Sequence, residues 1–188
     1  QINQFLSDHQ CAYPITKGYG MTEISSAATT NKEMLNKLGS VGIPHLKTIV
    51  SVFDQDSCKE LDYGQEGEIC MCSPTIMLGY YKNKTETDNV LRVHKDGSVW
   101  IHSGDIGHMD KDGFVFIHGR LKRMIIRPDG HNVWPQQIEN VLFRYDGVRD
   151  CAVVGLPNPD GKTGKIPTAF IVWDDKTTAT EKSFASID

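Results

Sequence analysis

Gly119-Arg120-Leu121-Lys122-Arg123 separates two hydrophobic rhythms in this chain of 188 residues. Upstream, Gly39 to Arg120 reads as short strands between turn residues: Thr48-Ile-Val-Ser-Val-Phe53, Gly67-Glu-Ile-Cys-Met-Cys72, Ser98-Val-Trp-Ile101 and Phe114-Val-Phe-Ile-His118. Asp96-Gly97 and Asp112-Gly113 stand just before two of these runs, where glycine accepts a positive φ at little cost, so both are expected to be hairpin tips. A polar helix is expected between Asn83 and Arg92, started by the Thr85-x-x-Asp88 pattern. Downstream of Arg120 the order changes to strand, glycine turn at Asp129-Gly130, helix, strand, strand. Pro135 suits the first helical turn, with Ile138, Val141 and Leu142 on one face. The strands are Cys151-Ala-Val-Val-Gly-Leu156 and Thr168-Ala-Phe-Ile-Val-Trp173, the spacing of a small α+β unit. The expected division is therefore 1–119 and 120–188, with a short hinge in place of a linker.

At the amino end Ile2, Phe5 and Leu6 can share a helical face over Ile2 to Cys11. A strand at Tyr13-Pro-Ile-Thr16 then leads into a glycine loop at Gly18-Tyr19-Gly20. The polar tail from Asp174 carries no closing element, so the second unit reads as incomplete.

Twenty basic against 24 acidic residues exclude a function built on neutralising a phosphate backbone, so no nucleic-acid partner is expected. No apolar run approaches the ~20 residues of a membrane span, and no transmembrane segment is expected. Five scattered cysteines fit a reducing compartment, which with no visible leader gives the expectation of a cytoplasmic protein. Cys70-x-Cys72 would turn two thiols to one face of a strand, but no second pair and no His-x₃-His spacing accompany it, so no structural zinc is expected. No Gly-x-Ser-x-Gly elbow supports a serine hydrolase. Trp100, Trp134 and Trp173 read as anchors of packing.

Three segments carry chemistry suited to a nucleotide. In Gly18-Tyr19-Gly20-Met21-Thr22-Glu23 the glycines allow close backbone approach, Tyr19 offers a stacking face, Thr22 a hydroxyl for phosphate, and Glu23 a hard oxygen for Mg²⁺. A strand-ending turn with a half-buried tyrosine accounts for the same residues. Asp105 in Ser103-Gly104-Asp105 could accept from two adjacent hydroxyls, or be an Asx turn. Arg120, Lys122 and Arg123 put three cations in four residues: Arg could fork onto ribose or phosphate, or the run could cap a solvated strand end.

Taken in order, these segments resemble the adenylate-forming (AMP-binding) superfamily of acyl-CoA synthetases, fatty-acid CoA ligases, nonribosomal peptide adenylation domains and luciferases. Gly18 to Glu23 resembles the family's Y-G-x-T-E loop, Gly39-Ser-Val-Gly-Ile-Pro44 its G-S-x-G-x-P, and Glu66-Gly-Glu-Ile69 with Leu78-Gly-Tyr-Tyr81 its G-E-[IL] and GY stretch. Trp100 to Ile106 is similar to W-x-x-T-G-D, with Ser103 for threonine. Gly119-Arg-Leu-Lys122 through Gly130-x-x-Val-x-Pro-x-x-Ile-Glu139 is similar to G-R-x-[KD] and G-x-x-[IV]-x-P-x-x-[IL]-E.

The resemblance implies an α/β, β-rich fold: the end of a large adenylation domain with a distorted antiparallel β-barrel subdomain, then the start of a mobile C-terminal lid. It implies an AMP-forming ligase, in which a carboxylate attacks the α-phosphate of ATP and a thiol then takes the acyl group. By position, Tyr19 and Gly20 would lie at the adenine, Thr22 at phosphate, Glu23 at Mg²⁺, and Asp105 and Arg120 at the ribose. Lys122 would be the hinge, and Gly130 would line the thiol tunnel. Pro135 and Met109-Asp-Lys-Asp-Gly-Phe-Val-Phe116 favour the branch that uses coenzyme A. An amino-acid-activating domain feeding carrier-bound pantetheine, a silent nucleotide-binding module and a β-rich interaction domain remain alternatives. Neither the glycine- and hydroxyl-rich loop ending in P-K-G nor the C-terminal G-K lysine occurs. Asp160-Gly-Lys-Thr-Gly-Lys165 reads as a hairpin loop, so the expectation is an internal piece of a larger ligase, inactive alone.

Overall fold

A computed structural model describes residues 2–11, 14–32, 34–161 and 163–174. It divides into two compact units, Gln1–Ile117 and His118–Asp188. Tyr13, Lys162 and the tail from residue 175 lie outside the described residues; Pro14, Ile15 and Thr16, expected with Tyr13 to form a strand, belong to no strand or helix.

The first unit opens with α1 (Ile2–Asp8), shorter than expected and with Phe5 57% exposed, so that side chain does not join a core. The segment expected as a glycine loop is itself extended: β1 (Gly18–Met21) pairs antiparallel with β2 (Ser26–Thr30), and β2 with β3 (Ile43–Pro44). A register shift between Tyr19 and Gly20 bends β1, and glycine is what allows it. A Cβ on Gly20 would stand 2.0 Å from the Ser26 carbonyl oxygen. Gly42 (φ +93°) is held as closely, because a Cβ there would meet the backbone of Thr30 at 1.9 Å.

Five further strands make an antiparallel sheet in the order β4 (Ile49–Phe53), β5 (Gly67–Cys72), β7 (Val99–Met109) and β6 (Leu91–Val93), with β8 (Val115–Arg120) also on β7. Asp96-Gly97 and Asp112-Gly113 fall in the β6–β7 and β7–β8 connections, as their turn chemistry implies. β5 is buried along nearly its whole length, with Glu68 among its buried side chains. Val50, Val52, Ile69, Met71, Ile101 and Val115 pack with Ala28 of the smaller sheet and with Ile24, between β1 and β2, into one core. At about 25 cal/mol per Å² of apolar surface, that layer is the principal stabilising term. Trp100 is buried beside Phe53 and Cys70.

The expected polar helix is α2 (Lys84–Val90), but its cap is Asn83, whose side chain accepts from the Glu86 N–H at 3.2 Å. Thr85 is not the cap: it is the second residue of the helix, and Asn83, two positions earlier, meets the free N–H groups. β6 follows at once, a strand that the sequence pattern did not reveal.

In the second unit a short β9 (Ile125–Ile126) pairs with β10 (Asn132–Val133), and α3 (Pro135–Leu142) begins at Pro135 as expected. Its inward face differs from the expected one. Val141 is 45% exposed, while Glu139 is buried, accepting from Arg123 Nη2 at 2.7 Å and the Val153 N–H at 2.9 Å. β11 (Val148–Pro157) and β12 (Lys165–Trp173) form a long hairpin around the Asp160 loop, over a core of Ile125, Leu142 and Val153.

Candidate functional site

Alternation along β1 turns Tyr19 and Met21 toward the core and leaves Gly18 and Gly20 exposed. A single 3₁₀ turn, Thr22–Ile24, follows, anchored by buried Ile24. Ser25, at φ 65°, closes it with its N–H on the Thr22 carbonyl at 2.9 Å. A left-handed serine costs of order 1 kcal/mol or more, and here it returns the chain so that Thr22 stays exposed. Residues 18–22 and 25–27 line a shallow, open concavity of about 550 Å³.

The segment after β5 braces this turn. Met77 N–H donates to the Glu23 carbonyl at 2.8 Å, and Ser25 Oγ to the Thr75 carbonyl at 2.8 Å. Tyr80 Oη donates to Glu23 Oε1 at 2.5 Å. That bond to an anionic acceptor, with some burial, pushes the Tyr80 phenol up to about 12. The Glu23 carboxylate is thereby held by Tyr80, and it and the hydroxyl of its chain neighbour Thr22 are both oxygen donors, the type a hard cation such as Mg²⁺ prefers.

Asp105 reaches the same region from the other sheet. Its segment is not the turn expected from Ser-Gly-Asp but the middle of β7, an 11-residue strand. The pairing with β5 slips there: Cys70 faces His102 and Glu68 faces Ile106, so Ser103, Gly104 and Asp105 together oppose Ile69. Turn-forming residues occupy a bulge inside a strand. Tyr19 Oη donates to Asp105 Oδ2 at 2.6 Å. The structure therefore joins Tyr19 to Asp105, while Gly20, Thr22 and Glu23 lie next to Tyr19 along the same β1 and 3₁₀ segment. Asp105 is 5% exposed.

Arg120, Lys122 and Gly130 belong to the second unit. Arg120 ends β8 with its side chain exposed, and Lys122 lies in a 3₁₀ turn, Leu121–Arg123, also exposed. Gly130 sits at φ +84° at the tip between β9 and β10, and an added Cβ there would meet nothing within 4 Å.

Sequence reading passed over three side chains that the structure makes prominent. Tyr80 stood in the quoted Leu78–Tyr81 stretch, and Glu68 in the quoted Gly67-Glu-Ile69, but neither had been given work. His102 is one of seven histidines, and no ligand spacing distinguishes it. Glu68, Cys70 and His102 are all buried, with donor atoms within 4.8 Å of one another. Burial pushes the Cys70 thiol far above its ordinary range, so it stays neutral.

Residues 1–81 match the family described as AMP-binding enzyme, and residues 137–186 match the AMP-binding enzyme C-terminal domain. The chain is 40% identical over 170 residues to luciferin 4-monooxygenase of Photinus pyralis, covering 89% of this chain and 29% of that protein. It is 38% identical over 162 residues to a long-chain-fatty-acid–CoA ligase of Salmonella typhimurium, covering 86% and 27%. Among solved structures, O-succinylbenzoate coenzyme A synthetase of Bacillus subtilis, in complex with ATP and magnesium ion, superposes with a TM-score of 0.76 at 27% identity, over 92% of this chain and 34% of that one. The chain thus spans less than a third of the length of these curated relatives.

Proposed function

Since the chain belongs to the AMP-binding, adenylate-forming enzyme family, we propose that it carries the nucleotide face of an ATP-dependent carboxylic acid:CoA ligase that passes through an acyl-adenylate. The observation that carries the reading is the 2.6 Å bond from Tyr19 to Asp105, which joins two segments separately suited to adenosine.

In this reading the Tyr19 ring, with the open backbone at Gly20, packs on adenine. Asp105 accepts from the two ribose hydroxyls, and two charge-assisted bonds from one carboxylate give both affinity and orientation. Thr22 donates its hydroxyl to a phosphate oxygen. Glu23, steadied by Tyr80, holds Mg²⁺, which when bound offsets charge on the phosphates. Arg120 at the ribose, Lys122 as the hinge of a lid and Gly130 in the thiol tunnel take their roles from the family resemblance, and Gly130's open surroundings are compatible with passage of a thin thiol arm. Coenzyme A is favoured as acceptor over carrier-bound pantetheine by Pro135 and the Met109 to Phe116 segment. Placement in the cytoplasm remains part of the proposal; among the described residues no helix is long and apolar enough to cross a membrane.

These 188 residues hold neither the P-K-G loop nor the G-K lysine. Since charge stabilisation at the transferring phosphorus is a dominant catalytic term, they are expected to bind AMP without turnover. The test is acid-dependent pyrophosphate release from ATP, run on the 188-residue chain and on the longest protein that carries it. Release by the longer protein alone, with thioester formation on adding CoA, supports the reading. Release by the 188 residues, or by neither, contradicts it.

A further inference from the structure

Inside the first unit lies a buried polar chain that the reading above does not use. Glu68 on β5 and His102 on β7 face each other with side chains 9% and 3% exposed, Oε2 to Nδ1 at 2.8 Å. On one side His102 Nε2 lies 2.9 Å from His94 Nε2. On the other, Glu68 Oε1 accepts the Gly104 N–H at 2.9 Å. Gly104 stands at φ +70° in the bulge where three residues of β7 oppose Ile69.

A regular ladder would pair the N–H groups of this stretch with β5 backbone. The bulge removes that pairing, and side chains replace it. Glu68 takes the Gly104 N–H, while Ser103 Oγ accepts the Asp105 N–H at 3.0 Å and donates to the Ile69 carbonyl at 2.6 Å. Both amides that lead into Asp105 are thus held by named side chains.

A buried carboxylate costs several kcal/mol in lost hydration unless its lone pairs are met. Burial alone would raise the Glu68 carboxyl, but the His102 ring and the Gly104 N–H outweigh it and hold it below the ordinary carboxylate range. An anionic Glu68 requires its partner nitrogen to be Nδ1–H, and the contact between His102 Nε2 and His94 Nε2 holds one proton between the two rings. Cys70 Sγ lies 3.5 Å from the same Nδ1. The Glu68 oxygens and His102 nitrogens already have protein partners, so the three donors are arranged to hold backbone rather than a metal ion.

We propose that Glu68 and His102 are a positioning pair for Asp105: His102 orients the Glu68 carboxylate, which fixes the Gly104 amide in the bulge and so aims Asp105 at a cis-diol such as that of a ribose. The proposal rests on the assignment of Asp105 to the nucleotide.

The experiment compares AMP with 2′,3′-dideoxy-AMP as calorimetric ligands for the 188-residue chain, wild type and Glu68→Gln. Glu68→Gln keeps shape but removes the charge that strengthens both hydrogen bonds. The expected result is a preference for AMP in the wild type that falls roughly tenfold in Glu68→Gln, with dideoxy-AMP affinity unchanged. A preserved preference in Glu68→Gln, or an equal loss for both ligands, overturns the pair. If the wild type itself shows no preference, the ribose reading of Asp105 fails, and amide NMR judges the pair separately. Gly104 and Asp105 signals must then move in Glu68→Gln while those of β4 do not; unmoved signals overturn it. Should Glu68→Gln not fold, the wild-type ring decides: ¹⁵N shifts must show His102 protonated at Nδ1, and the Nε2–H form alone overturns the pair.

Discussion

The Tyr19 hydroxyl donates to Oδ2 of Asp105 across 2.6 Å, joining residues 86 positions apart and tying a three-stranded sheet to a five-stranded one. A hydrogen bond to a charged acceptor contributes about 1.5–3 kcal/mol when buried and less when part-exposed. Tyr19→Phe keeps the ring and removes this bond. The expected outcome is a loss of about 1 kcal/mol in urea unfolding, and an unchanged midpoint would mean the bond contributes nothing to holding the sheets together.

Tyr80 reports on Glu23. Its phenol is raised from 10.0 to about 12, first by the bond to Glu23. The neutral phenol is the bonded form, so this stability is fully present below pH 10 and lost as pH rises through about 12. With tyrosine labelled at ¹³Cζ, Tyr80 should titrate near 12, and Glu23→Gln should bring it back toward 10.0. Identical titration in both proteins would show that Glu23 is not its acceptor.

Glu68 has the opposite sign. Its folded pKa lies below the ordinary 4.5, so its contribution is present above that value and lost as pH falls through the lower folded one. Stability measured by urea unfolding should decline across that acid window, and Glu68→Gln should flatten the decline at the expense of lower stability at neutral pH. A decline of the same size in both would assign acid sensitivity to other carboxylates.

Two glycines with similar φ separate crowding from conformation. Gly42 (φ +93°) would place a Cβ 1.9 Å from Thr30 backbone, whereas Gly97 (φ +80°) has open space. Gly97→Ala should cost roughly 1 kcal/mol and Gly42→Ala on the order of 3 kcal/mol or more, read as differential loss of thermal midpoint. Equal costs would show that positive φ alone governs both positions.

The strand rhythm of the five-stranded sheet, the two Asp-Gly hairpin tips, Pro135 at the start of α3 and the Asp160 loop are local signals, and each was legible. Gly18–Met21 was not, because two glycines hide a strand that is set by its neighbour β2 rather than by propensity. Ser103-Gly104-Asp105 misled for the converse reason: turn-forming residues were used in a bulge, whose existence depends on register with β5. Of the site, the residues named in advance carry their own chemistry in their side chains. Tyr80, Glu68 and His102 act through partners 57 and 34 positions away, and such pairings are information about strand register that no spacing rule contains.

The account turns on Asp105 as a ribose acceptor, and calorimetric titration of AMP into the 188-residue chain with Mg²⁺, beside Asp105→Asn, tests it most directly. Asparagine keeps the shape but loses the charge, so AMP should bind the wild type and bind Asp105→Asn roughly tenfold to a hundredfold more weakly. Equal affinity in the two proteins, or no binding to the wild type, would contradict a nucleotide site at this face.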